Sequence, residues 1–110
     1  MKDFPAREKF DLAAMVAQYL VLASTLDKTS PLEDYDHANE LSLELAMLLP
    51  GPIYRAMVEA VAHPGGKENQ ASVALMLRQA LFAPQEADLQ PEHIAFHAPG
   101  APPKPRSRAH

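Results

Sequence analysis

The sequence contains no cysteine and no tryptophan, and it has few glycines and few aromatic residues. Without cysteine there can be no disulfide framework, no thiolate zinc site and no cysteine nucleophile. Small secreted domains commonly depend on disulfides, so their absence favours a reducing compartment, and we expect a cytoplasmic protein. Gly65-Gly66-Lys67 is followed by Glu68, whereas a P-loop requires Ser or Thr there. We therefore expect a turn at these glycines.

Charged side chains are missing from residues 12–23, where Gln18 is the one strongly polar residue. A helix of twelve residues is about 18 Å long, whereas the hydrocarbon core of a bilayer is about 30 Å thick. Residues 1–11 hold as many acidic as basic side chains, unlike the positive n-region of a signal peptide. This segment is therefore expected to be a buried helix, and no membrane association is expected.

The residues that are abundant favour helices. The chain has 110 residues, 47% of them hydrophobic, and Ala and Leu carry most of that share, which suits one small helical core. Prolines and glycines divide the apolar segments into four helices, at residues 5–28, 31–49, 52–63 and 69–83. The sequence thus predicts an all-α, four-helix domain over residues 1–83, followed by a C-terminal extension over residues 84–110. Pro91-Glu92 could open one helical turn in that extension.

The first predicted helix is apolar on nearly every side. Such a helix must be covered on every side, by the rest of the chain or by a second subunit. Three short helices form a thin cover, so we expect a homodimer. The apolar residues are Leu12, Met15, Val16, Tyr19, Leu20, Val21, Leu22 and Leu26.

The second predicted helix begins with a capping box, Ser30-Pro31-Leu32-Glu33, in which Ser30 is the N-cap and Pro31 the first helical residue. Its C-terminal end is expected to contact two neighbouring helices, because Leu43 and Met47 widen the apolar arc there. The main apolar stripe comprises Leu32, Tyr35, Ala38, Leu41, Leu45, Leu48 and Leu49.

The opposite side of this helix carries four carboxylates, Glu33, Asp36, Glu40 and Glu44, within an arc of about 80°. Residues 29–54 contain neither Lys nor Arg. Such a face either merely solvates the helix or docks on a basic protein surface. The docking hypothesis leads to our main expectation, which is a small non-enzymatic protein-binding modulator such as an inhibitor, adaptor or chaperone. An apolar groove between helices is the other surface that this function could use.

His37 is the candidate metal ligand, because Glu33 lies four residues before it and Glu40 three residues after it. Helical bundles that bind metals draw their ligands from several helices, whereas this set comes from one. We therefore expect no cofactor. A small helical metalloprotein, with ligands completed by a second subunit, is the second alternative.

The charge of the chain is divided unevenly. Residues 1–97 hold seven basic and all fourteen acidic residues, a net charge of −7, whereas residues 98–110 hold three basic ones. Four prolines within residues 98–110 predict a flexible or polyproline-like tail. A dimeric helix-turn-helix-like DNA-binding regulator is the first alternative function, although its base-reading helix would be poor in cations. It would use Arg78, Lys104, Arg106 and Arg108.

Overall fold

The apolar segments of the chain form four α-helices, as the sequence predicts. They are α1 (Ala6–Thr25), α2 (Leu32–Leu48), α3 (Gly51–Ala62) and α4 (Gln70–Leu81). The structure is a computed structural model and describes residues 4–82, 89–99 and 104–105. Residues 4–82 form a small all-α domain. None of the helices in the described part of the chain is long and apolar enough to cross a membrane.

One hydrophobic core lies between the four helices. Its largest fully buried side chains are Leu45, Met57 and Val73, from three different helices. Full burial of one such side chain contributes about 1.5–3 kcal/mol to folding. The core comprises Leu12, Val16, Tyr19, Leu20, Leu41, Leu45, Leu49, Ile53, Ala56, Met57, Ala60, Val73, Leu77 and Leu81.

Of the two ways of covering α1 that the sequence leaves open, full cover by its own chain is wrong for the described residues. The other three helices pack on one side of it, where Leu12, Val16 and Leu20 are buried. On the far side, Phe10 is 69% exposed and Val21 60% exposed. The elements in the described part of the chain are too few to surround a helix of twenty residues.

The expected capping box at the start of α2 is also wrong. The N-cap is Pro31, and no side chain caps the helix. The Ser30 hydroxyl accepts instead from the backbone N–H of Asp27 at 2.9 Å, while the Ser30 N–H donates to the Asp27 carbonyl at 3.0 Å. The Asp27 carboxylate accepts from the backbone N–H and the hydroxyl of Thr29. This local turn outcompetes the cap for the serine side chain.

The buried stripe of α2 is narrower than the sequence suggests. Ala38, Leu41 and Leu45 are buried, whereas Leu43 and Met47, expected to contact neighbouring helices, are 67% and 77% exposed. Leu32 and Leu48, assigned to the main stripe, are exposed as well. The reason is geometric: the buried residues of α2 fall within one narrow arc, and positions on its far side have no covering neighbour among the described residues.

The loop before α4 and the segment after it follow the sequence more closely. The Gly66 N–H donates to the His63 carbonyl at 2.9 Å, and Gly65 has φ +83°, so the glycines form a turn as expected. Asn69 and Ser72 cap α4 reciprocally. A 3-10 turn lies at Pro91–His93, where one helical turn was expected.

The C-terminal extension contains two short strands. Strand β1 (Ala95–Phe96) pairs with β2 (Lys104–Pro105) in antiparallel orientation. Most of the flexible tail predicted over residues 98–110 lies outside the described residues. The 3-10 turn of the extension contacts α4. The division into a domain over residues 1–83 and an extension over residues 84–110 stays a prediction.

Candidate functional site

The outer side of α2 carries an acidic face, defined as Glu33, Asp36, Glu40 and Glu44. All four side chains are exposed, and they lie opposite the buried stripe that ends at Leu45. They line one shallow concave surface together with His37, Asn39 and Leu43. The acidic face is therefore accessible along most of the helix.

Two apolar side chains continue the acidic face toward the end of α2. Asp36, Glu40, Leu43 and Met47 follow one another at intervals of four, three and four residues, which places them on a single stripe of a helix. Leu43 and Met47 are among the most exposed apolar side chains of the described residues. We call these two residues the apolar end of the acidic face. Their helical phase, shared with Asp36 rather than with Leu45, is the sequence signal that could have identified them as exposed.

The turn before α2 adds negative charge near its first residues. Hydrogen bonds from the hydroxyl and the backbone N–H of Thr29 lower the pKa of the Asp27 carboxyl below its ordinary value. The Tyr35 hydroxyl donates to the Asp27 carbonyl at 2.6 Å and so joins this turn to the helix. Residues 29–54 contain neither Lys nor Arg, so no such side chain within this segment neutralises the acidic face.

The candidate metal ligands lie together on α2 but in an open arrangement. His37, Glu33 and Glu40 are all exposed. Within the described ranges, no group of three or more His, Asp or Glu side chains is placed to hold a metal ion. Among the described helices, α2 alone contributes to the concave surface that these residues line.

A second candidate surface is the groove between α1 and α4, with a volume of about 400 Å³. Leu89, Ile94 and Phe96 of the extension line its edge. Nearly all its walls are apolar, and Gln70 and Arg78 are the polar residues among the described ones that line it. The walls come from α1 (Ala13, Val16, Ala17, Leu20 and Val21) and from α4 and its end (Ala71, Ala74, Leu75, Leu77, Leu81 and Phe82).

Of the four residues expected to contact DNA, the structure describes Arg78 and the backbone of Lys104. Arg78 lies half-buried in the groove wall, Lys104 belongs to β2, and Arg106 and Arg108 lie outside the described residues. The exposed residues of α4 are Ala74 and Gln79, so this helix presents few side chains that could read base edges. Seven residues separate α3 from α4, more than the three or four of a helix-turn-helix.

Comparison of the chain with protein-family models, with curated proteins and with solved structures found no match.

Proposed function

We propose that this chain is a small, non-enzymatic protein-binding modulator whose acidic face on α2 binds a basic, amphipathic segment of a partner protein. The observation that supports this proposal is the composition of one exposed stripe of α2. On this stripe the carboxylates of Asp36 and Glu40 are followed by the exposed apolar side chains of Leu43 and Met47. A surface that merely solvates a helix has no need of two large, exposed apolar side chains at one end.

The two parts of this surface have separate roles in binding. The carboxylates attract and orient a basic segment, and they raise the association rate more than the final affinity. The apolar end supplies contacts that exclude water, from which most binding energy at an interface derives. The partner segment therefore carries Lys or Arg along one face and an aliphatic side chain at the end that meets Met47.

Binding, rather than catalysis, suits a surface of this shape. Glu33, His37 and Glu40 project from one open helix, whereas catalytic carboxylates and imidazoles work in clefts that exclude water. We propose a cytoplasmic, reducing location, because the chain has no cysteine, and we propose that the protein is a homodimer. The DNA-binding and metalloprotein alternatives are not favoured by any specific contact among the described residues.

The proposal is tested with a synthetic peptide helix that bears Lys at four-residue spacing and Leu at one end. Wild-type protein is expected to bind it with an affinity that falls as salt increases. Asp36→Lys/Glu40→Lys should weaken binding at least tenfold. The matched control, Glu8→Lys/Glu59→Lys, changes the net charge equally on other helices and should leave binding within twofold. Equal losses in both double variants would mean unspecific attraction and would contradict the proposal.

The natural partner is sought by pull-down from host lysate with the same three proteins, with and without nuclease. A protein that is retained by wild type and the control, lost with Asp36→Lys/Glu40→Lys and insensitive to nuclease supports the proposal. Material that disappears with nuclease, and is indifferent to the α2 charges, supports the DNA-binding alternative instead.

A further inference from the structure

We infer that a second copy of this chain covers the apolar groove between α1 and α4, through an antiparallel contact of two α1 helices centred between Ala14 and Ala17. The contact uses an α1 outer stripe, defined as Phe10, Ala14, Ala17 and Val21. All four residues are exposed, and they fall within an arc of about 60° opposite the buried side of the helix. The inference gives the proposed homodimer a specific interface and does not depend on the acidic face.

The spacing of the stripe is that of a helix–helix seam. Its residues follow at intervals of four, three and four, as the a and d positions of a heptad do. A helix needs one such stripe to pack on its own domain, and α1 already has it in Leu12, Val16 and Tyr19. The second stripe is thus an additional packing surface, which the four-helix domain leaves uncovered.

The stripe continues into the groove, so a single occupant can cover both. Ala17 and Val21 line the groove as well as belonging to the stripe, and Leu20 and Leu75 lie deeper in it. The stripe alone is about 17 Å long. A stable interface buries about 800 Å² on each partner, roughly a tenth of the 7511 Å² surface of this chain. We expect the second copy to reach that area by covering the groove and its edge at Phe96 together with the stripe.

The chemistry of this surface fits a copy of itself better than a charged partner. Residues 12–26 contain no Asp, Glu, Lys or Arg, so an acidic or basic segment would find no opposite charge along α1 beyond Asp11. Small side chains at Ala14 and Ala17 allow two helix axes to approach to about 8 Å. In the antiparallel arrangement these alanines meet at the centre, and each Phe10 meets the partner subunit's Val21 at an end.

The charges next to the stripe determine the orientation. Arg7 precedes Phe10 by three residues and continues the same seam. A parallel pair would place the two Arg7 guanidinium groups against each other, which is unfavourable. The antiparallel pair places Arg7 opposite the partner subunit's Ser24, and it brings Asp11 close to the partner subunit's Gln18, whose amide can donate to a carboxylate. Each of these contacts occurs twice because the interface is two-fold symmetric.

This dimer leaves both acidic faces free. α2 packs on the buried side of α1, whereas the second copy lies on the opposite side. A bivalent molecule with two acidic faces results, and such a molecule binds a partner with two basic segments more tightly than either face alone.

Cysteine cross-linking tests the interface, and the natural absence of cysteine makes it specific. Phe10→Cys and Val21→Cys are made as separate proteins, mixed and oxidised. The mixture should give a disulfide-linked dimer, because these two positions face each other. Each protein alone should not, because identical positions lie about 16 Å apart along the antiparallel pair, beyond the roughly 7 Å limit between bridged Cα atoms. Cross-linking of each protein alone would overturn the antiparallel arrangement.

The mass of the protein in solution tests whether a second copy of the chain covers the groove. Sedimentation or light scattering should give a dimer for wild type at high micromolar concentration and a monomer for Ala17→Glu, which places carboxylates at the centre of the apolar contact. Ala46→Glu, an equal change at an exposed position of α2, should remain dimeric, and far-ultraviolet circular dichroism should show that both variants fold. A monomeric wild type, or a dimer unaffected by Ala17→Glu, would overturn the inference and leave the peptide-binding test of the acidic face intact.

Discussion

The side-chain amide of Gln70, in the first turn of α4, donates to the backbone carbonyl oxygen of Leu20 in α1 at 3.2 Å. The same nitrogen lies 3.3 Å from the Ser24 hydroxyl. At the opposite end of the two helices, the Lys9 ammonium lies 5.4 Å from the centre of the Phe82 ring. α1 and α4 are thus antiparallel and connected at both ends, which fixes the width of the groove between them.

Gln70→Ala is expected to lower the free energy of unfolding by about 0.5–1.5 kcal/mol, because it removes these hydrogen bonds between helices. The measurement is urea denaturation. Gln79→Ala is the matched control, since Gln79 is exposed on the same helix and alanine is the better helix former. A control that is destabilised as much as Gln70→Ala would show that the bonds to α1 contribute nothing.

The contact between Gln70 and Leu20 illustrates what the sequence could not provide. The apolar spacing and the prolines predicted all four helices, because both signals act within a few residues. The two partners of this contact are fifty residues apart, and their meeting depends on which helices become neighbours in the packed domain. The groove between α1 and α4 also depends on which helices become neighbours. The sequence therefore predicted a groove between helices but not which helices form it.

Asn69→Ala is expected to destabilise the protein by about 1 kcal/mol. The Asn69 side chain accepts from the Ser72 N–H at 3.0 Å, and the Ser72 hydroxyl accepts from the Asn69 N–H at 2.9 Å. Removal of an N-cap side chain typically costs about this much. Asn39→Ala, at an exposed position inside α2, controls for the substitution itself and should not destabilise. Thermal and urea denaturation of the two variants check this.

The caps of α2 and α4 show how local competition limits prediction from sequence. Ser30 before α2 and Asn69 before α4 both suit an N-cap. The sequence signal is stronger at Ser30, because Glu33 completes a capping box there. In the structure, Asp27 lies three residues before Ser30 and uses its hydroxyl. The Asn69 side chain, by contrast, accepts from the Ser72 N–H and caps α4.

The stability of the protein is expected to fall as the pH rises above 10. Burial raises the pKa of the Tyr19 phenol above its ordinary value of 10.0, and the neighbouring Tyr54 acts in the same direction, while Ser42 partly offsets them. A group whose pKa is raised by folding stabilises the native state fully below its unfolded pKa, and this contribution is lost as the pH rises through the folded pKa. Tyr19→Phe should remove that loss of stability.

Absorbance near 295 nm follows the ionisation directly, because the chain has three tyrosines and no tryptophan. The difference between the wild-type titration and that of Tyr19→Phe isolates Tyr19, and its midpoint should lie above 10. Urea denaturation at pH 8 and pH 11 then compares stabilities. Equal pH dependence in the two proteins would contradict the assignment.

Leu45→Ala and Met47→Ala should have opposite effects on folding and on binding. Leu45 is 0% exposed at the centre of the core, so its truncation should cost about 2–5 kcal/mol of unfolding free energy. Met47, two residues later, is largely exposed, and its truncation should change that energy by less than about 0.5 kcal/mol.

On the proposed function, Met47→Ala should weaken binding of the basic peptide several-fold and leave its salt dependence unchanged, because an apolar anchor carries no charge. Leu43→Ala should act in the same way. Unaltered peptide binding in both variants would show that the apolar end takes no part in binding. The partner segment would then need no aliphatic side chain.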